Sequence, residues 1–225
     1  MRVSMRSRGG KGALSDAELT TAWQAASLLL GYPDDDLLAR RPLLRRAVAG
    51  LPPAVREPLE RFLDHLDAAS PPEPAADYVA TFDHRKRCCL YLTYYAYGDT
   101  RKRGMALLRF KHAYRAAGLV LDDGELPDHL AVVLEFAATG DLHQGRRLLL
   151  EHRAGLELLR LALTEASSPW ASVLDAVSAT LPPLDGDTHQ AIARLAAEGP
   201  PEEEVGLAPF GGPVFLPDPS VGARS

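Results

Sequence analysis

SDAELTTAWQAASLLLGYP, residues 15–33, decides the fold class of this chain. Ser15 followed three residues later by Glu18 is a capping box, in which each side chain satisfies an amide that the first helical turn leaves without a partner. Leu19, Trp23, Ala26 and Leu30 then recur on one helical face, and Gly31 with Pro33 supplies the stop. From Leu19 to Pro33 there are 15 consecutive residues without Asp, Glu, Lys or Arg. Thr, Gln and Ser interrupt that run, and it is shorter than the roughly 18–20 apolar residues a membrane span requires. The stretch predicts a helix that buries one face against protein rather than lipid.

Outward from residues 15–33 the apolar period stays helical, and no run alternates with the β-branched enrichment of a strand. Asp34 is placed to cap a second helix, kinked or broken at Pro42, and Leu59, Phe62, Leu63 and Leu66 form the stripe of a third. After a Pro-rich link over 69–74, a helix over 75–97 and another from Asp99 to Ala117 predict an antiparallel hairpin broken at Gly98. Leu130, Val133, Leu134 and Ala137 follow on one face, ended near Gly140. Leu142, Leu149, Leu156 and Leu163, seven apart, predict one long helix. Ser168 as cap and Pro169 at the first helical position open another around Trp170, Val173, Leu174 and Val177, ended by Pro182 and Pro183. A short helix over Thr188 to Glu198 closes the series. The expectation is an all-α, single-domain bundle of about eight to nine helices over 15–198, with a flexible extension over 1–14. Residues 199–225, with six Pro and five Gly among 27, are expected to form a mobile tail.

The chain has 225 residues, 25 Lys+Arg and 30 Asp+Glu, so its formal charge is 25 − 30 = −5. That balance opposes nonspecific binding to nucleic acid. Arg2, Arg6, Arg8 and Lys11 are not followed directly by an apolar core, so the start does not read as a secretory signal, and a cytoplasmic protein is expected. Cys88 and Cys89 are adjacent, which excludes a disulfide framework. His84 and Cys88 stand four apart, but the remaining soft ligand, Cys89, points about 100° away, and no metal site is expected. Arg85, Lys86 and Arg87 favour a reactive thiolate only if they share a face with it. No G-x-S-x-G elbow, Walker loop or G-x-G-x-x-G is present, so neither an enzyme nor a resident cofactor is expected. Nine Lys or Arg and one acid, Asp99, lie between Arg85 and Arg115, interleaved with Tyr91, Tyr94, Tyr95, Tyr97 and Tyr114. That pattern fits nucleic acid, or solvated helix faces with tyrosines packed inward, and the second is favoured. Arg101, Lys102 and Arg103 are its secondary basic surface.

LLLGYPDDDLL (Leu28 to Leu38), YVATFD (Tyr78 to Asp83), LYLTYYAYGDTRKRGMALL (Leu90 to Leu108), YRAAGL (Tyr114 to Leu119) and ELPDHLAVVLEF (Glu125 to Phe136) carry a resemblance. In order and spacing, over about Trp23 to Leu163, they resemble the assembly chaperones of respiratory nitrate reductase, the NarJ or delta-subunit type. These belong to the wider group of molybdoenzyme-specific chaperones. The resemblance implies an all-helical cytoplasmic helper, absent from the finished enzyme, that binds the N-terminal segment of the catalytic α subunit. Such a helper holds the apoenzyme open for insertion of the molybdenum bis(molybdopterin guanine dinucleotide) cofactor and delays membrane docking. It also implies cofactor-delivery proteins as further partners, with no nucleic acid and no stable membrane insertion. The marked elements of the wider group fall on Tyr78 and Phe82, and on Glu125, Asp128 and His129. Departures are Thr81, often Leu in the wider group, and Leu126 preceding Pro127. Two alternatives stay open: a chaperone of the same fold for a selenate, chlorate or dimethyl sulfoxide reductase, and a nucleic-acid-binding helical regulator.

A client segment that forms an amphipathic helix needs an apolar groove rimmed by complementary charge. Tyr78 and Phe82, four apart, share a helical face and are candidates to line it; the competing reading makes both core residues. Asp122, Asp123, Glu125 and Asp128 form an acidic cluster suited to a basic client, or a solvated loop in which Asp128 stabilises a helix start. His129 is a candidate to orient Asp128 or to touch the client.

Overall fold

A computed structural model describes residues 13–70, 72–121 and 124–199. Of the expected N-terminal extension and tail, residues 1–12 and 200–225 lie outside the described residues, as do Asp122 and Asp123. The opening helix, α1 (Asp16–Leu29), starts as expected: the Glu18 amide donates to Ser15 Oγ at 3.3 Å and the Ser15 amide donates to Glu18 Oε2 at 2.7 Å. Next come α2 (Asp35–Val48), α3 (Pro53–Ala68) and α4 (Pro72–Tyr78), which runs into a π-helical turn over Val79–Asp83. A 3-10 turn over Lys86–Cys88 and the short α5 (Tyr94–Tyr97) precede α6 (Arg101–Ala116). The chain continues through α7 (Leu130–Glu135), a second π turn over Phe136–Gly140, α8 (Leu142–Glu151), α9 (Arg153–Glu165), α10 (Ala171–Thr180) and α11 (Gly186–Glu198).

Among the described residues the fold is all-α, with no strand and with eleven α-helices where eight to nine were expected. Two places account for the difference. The single helix expected over 75–97 is broken: after the π turn, Arg85 and Cys89 are extended, and Tyr91 pairs with His129 as an isolated antiparallel bridge. The Leu92 amide donates to the Asp128 carbonyl at 3.0 Å and the Leu130 amide to the Leu90 carbonyl at 2.9 Å. Backbone groups that a helix would pair locally are thus satisfied by a segment nearly forty residues away, and the expected hairpin does not form. The long helix expected over 142–163 divides at His152 into α8 and α9. Leu149, Leu156 and Leu163 are nevertheless all buried, because both helices face the same core.

Two smaller departures have local causes. Helix α2 continues through Pro42, which cannot donate to the carbonyl four residues back. That carbonyl, on Leu38, instead accepts from Arg41 Nε at 2.8 Å. Helix α10 begins at Ala171, not Pro169; Ser168 serves through its carbonyl, which accepts from the Ala171 amide at 3.1 Å, not through its hydroxyl.

One continuous core spans α1, α3, α7, α9 and α10. The wholly buried indoles of Trp23 and Trp170 sit in it, each with its N–H satisfied. Trp23 Nε1 donates to Thr180 Oγ1 at 2.8 Å, and Trp170 Nε1 donates to the Leu29 carbonyl at 3.1 Å. The two bonds tie α1 to both ends of α10. Where α8 crosses the second π turn, Gly145 lies so close to Ala137 that an added Cβ would sit 2.3 Å from Ala137 Cβ.

Candidate functional site

Two side-chain groups lie on neighbouring parts of this frame. The first is aromatic. Tyr78 ends α4, and the widened π turn carries Phe82 round to face it, ring centroids 4.7 Å apart. Both rings meet Trp170 edge-on, at 5.6 Å and 5.4 Å. Tyr32, from the Gly31–Pro33 stop after α1, packs its edge on Tyr78 at 5.5 Å and is 53% exposed, so it carries the aromatic surface out to solvent. The Tyr78 hydroxyl donates to the Leu30 carbonyl at 3.2 Å. Burial pushes its pKa up to about 12, and the charges of Asp83 and Glu125 reinforce the shift. Both carboxylates are thus near enough to act on the Tyr78 hydroxyl, and Asp83, exposed, directly follows Phe82.

The second group is built on the Tyr91–His129 bridge. Asp128 is wholly buried; its Oδ2 accepts from the Thr93 amide at 3.1 Å and from the Thr93 hydroxyl, and lies 3.7 Å from Arg103 Nη2. Arg103 also donates through Nε to Thr93 Oγ1 at 3.1 Å, pairs with Asp99 at 3.0 Å, and covers the Tyr91 ring at 5.3 Å. The Tyr91 hydroxyl donates to Glu125 Oε1 at 2.9 Å, and its pKa is raised by burial and by that bond. The His129 ring meets Tyr91 edge-on at 5.3 Å, and burial lowers its pKa against the opposing pull of Glu125 and Asp128. Three buried polar atoms of this group, Arg103 Nη2, Asp128 Oδ1 and His129 Nδ1, have no hydrogen-bond partner.

The residues singled out in sequence are thus distributed unevenly. Tyr78 and Phe82 come together as expected, half buried rather than exposed. Glu125 is half-buried and accepts from Tyr91, and Asp128 and His129 are buried, with the Asp128 carboxylate bonded to Thr93 and facing Arg103 within the chain. Arg103 corrects the expected basic surface: its side chain is only 15% exposed and belongs to the Asp128 cluster, while Lys102 remains exposed. Tyr32, Tyr91, Thr93 and Trp170 were not picked out as site residues, although Tyr32, Tyr91 and Thr93 stand in the segments that carry the family resemblance. Burial raises the pKa of both cysteine thiols, which opposes a reactive thiolate. No cluster of three metal-ligating side chains occurs among the described residues, and no described helix is long and apolar enough to cross a membrane.

The described residues form an all-helical fold with a half-open aromatic surface. The chain belongs to the nitrate reductase delta subunit family, whose profile matches residues 49–175. It is 46% identical over 158 residues to the nitrate reductase-like protein NarX of Mycobacterium tuberculosis, a match that covers 70% of this chain and 24% of NarX. The chain thus spans about a quarter of that relative's length. A Bacillus subtilis protein assigned as the nitrate reductase molybdenum cofactor assembly chaperone NarJ is 32% identical over 168 residues, covering 74% of this chain and 90% of that protein. The fold is shared with an Archaeoglobus fulgidus protein assigned to redox enzyme maturation, with a TM-score of 0.54 at 22% identity over 78% of this chain and 96% of the other.

Proposed function

We propose that this chain is a cytoplasmic assembly chaperone that binds the apo catalytic subunit of respiratory nitrate reductase through its N-terminal segment. It keeps that subunit open until the molybdenum cofactor is inserted, and is itself not an enzyme. Family membership supports the chaperone role. The observation that carries the mode of binding is the Tyr32–Tyr78–Phe82 surface, apolar at its centre and edged by Asp83 and Glu125, which suits a basic amphipathic segment. A binding protein changes its client only through differential affinity, so it must hold the open apo form more tightly than the cofactor-filled one. Asp128 and Arg103 act here as positioning residues that fix the loop bearing Glu125.

Two measurements test the proposal. In a strain lacking the chain, the catalytic subunit is expected to accumulate poor in molybdenum and weak in nitrate reduction with an artificial electron donor; fully loaded, active enzyme from that strain refutes the chaperone role. With the purified chain, Tyr32→Ala is expected to weaken binding of the catalytic subunit's N-terminal peptide by roughly fivefold or more. Tyr32 is half exposed, so the thermal midpoint should barely move. Unchanged affinity would take the peptide off this surface while leaving the chaperone role standing.

A further inference from the structure

Helix α6 has only three buried side chains among its 16 residues, Ala106, Phe110 and Tyr114. Its outward face is neither uniformly polar nor covered. Met105 is 70% exposed and Leu108 42%, and the line they start continues through His112 to Ala116 at helical spacing. That line borders a groove of about 540 Å³ between α6 and α8. Ala113, Ala116 and Leu148 form its apolar wall, and Arg109 and Arg147 stand on opposite rims. Arg147 is joined through a 2.8 Å bond to Glu151, the one acid among the described residues that line the groove. Beyond the groove α6 adds exposed Lys111 and Arg115, and it contains no Asp or Glu.

We propose that the α6–α8 groove docks an acidic amphipathic helix of a partner protein. The charge argues for it, because cations from both helices flank an apolar strip. The dimensions agree: the lining runs from Gln144 to Glu151 on α8 and from Arg109 to Ala116 on α6, about 10 Å along each helix, or two turns of a docked helix. Alanines at 113 and 116 let another backbone approach closely. A nucleic acid would leave the exposed Met105 and Leu108 without apolar contact, so a polypeptide is the better occupant. The site differs in charge from the Tyr32–Tyr78–Phe82 surface, where acid borders the aromatics. Its ligand is therefore a different segment from the basic client peptide, and the inference stands apart from the proposed function.

The test uses the full chain and a labelled peptide of about 15 residues, leucines at helical spacing and glutamate elsewhere, followed by fluorescence anisotropy. Saturable binding is expected, weaker at higher salt. Arg109→Glu with Arg147→Glu should lower the affinity about tenfold or more, and Met105→Ser with Leu108→Ser about fivefold or more. All four residues lie at the surface, and thermal midpoints close to wild type are expected; if the charge-reversed protein is unstable, the serine variant carries the comparison alone. Absence of binding, or equal binding by the variants, overturns the proposal. So does a duplex oligonucleotide that binds in place of the peptide and is lost on charge reversal. Concentration-dependent self-association abolished by the serine variant would assign the groove to a second copy of the chain, and also overturns it.

Discussion

Thr93 donates twice to Asp128, through its amide at 3.1 Å and through its hydroxyl, and both groups are wholly buried. This pair locks the segment after Cys89 to the loop that bears Glu125 and His129. Arg103 completes it from α6, donating to the same Thr93 hydroxyl oxygen that donates to Asp128. A buried carboxylate is thus compensated by one residue on each of two distant segments.

Removing that carboxylate should be costly. Asp128→Ala leaves Thr93 without its acceptor and takes from Arg103 its buried acidic partner, leaving the exposed Asp99 and the Thr93 hydroxyl, and a loss of about 3 kcal/mol is expected from the range for broken buried pairs. Asp128→Asn keeps an acceptor for Thr93 and should cost less. Urea denaturation of the two variants checks the order; a loss below about 1 kcal/mol for the alanine variant contradicts the role assigned to the cluster.

Gly145 is expected to refuse a side chain. A Cβ there meets Ala137 Cβ at 2.3 Å and Ala137 Cα at 2.4 Å, so α8 must move away from the second π turn. Gly145→Ala should destabilise the chain by about 1–3 kcal/mol, the usual cost of overpacking, despite the better helix propensity of alanine. Its thermal midpoint measures the balance, and an unchanged or raised midpoint would show that α8 yields freely.

The Thr180 hydroxyl accepts from Trp23 Nε1 and donates to the Val177 carbonyl at 2.6 Å. Thr180→Val preserves shape but leaves the buried Trp23 N–H without a partner, at an expected cost of about 1–3 kcal/mol. Thr180→Ser keeps the hydroxyl and should recover most of the stability. Equal losses in both variants would assign the effect to the methyl group.

Stability should fall in mild acid. His129 and His152 both have folded-state pKa values lowered by burial, so the unfolded chain binds more protons than the folded one as pH drops through the unfolded value near 6.5. The stability they contribute is present above that pH and lost below it, toward their folded pKa values. Glu125 and Asp128 oppose the shift at His129, and Glu151 and the Leu148 carbonyl oppose it at His152. Denaturation midpoints at pH 7.5 and pH 5.5 measure the loss. Replacing both histidines by Gln should flatten the dependence, and an unchanged slope would place the titrating groups elsewhere.

What the amino-acid sequence determined by itself is the part of the fold whose signals lie within a turn or two. The capping box of α1, the Asp34 cap on α2, whose side chain accepts from the Leu37 amide at 2.8 Å, and the Leu59–Leu66 stripe of α3 are all present. Caps and stripes are satisfied locally, so spacing alone exposes them. The pairing of Tyr78 with Phe82 was legible for the same reason. Residues 84–93 were not, because Leu90 and Leu92 pair their backbone with Leu130 and Asp128, and the helical period of the tyrosines describes a conformation that this pairing outcompetes. Heptad spacing likewise gave no sign of the break at His152, since two helices on one core bury the same leucines as one long helix. Only the tertiary structure turned Arg103 from a surface cation into a partner of buried Asp128, carried Tyr32 beside Tyr78 and Trp170, and opened the groove between α6 and α8. Each depends on segments far apart in sequence, whose burial is set by the packing of the whole chain and not by their neighbours.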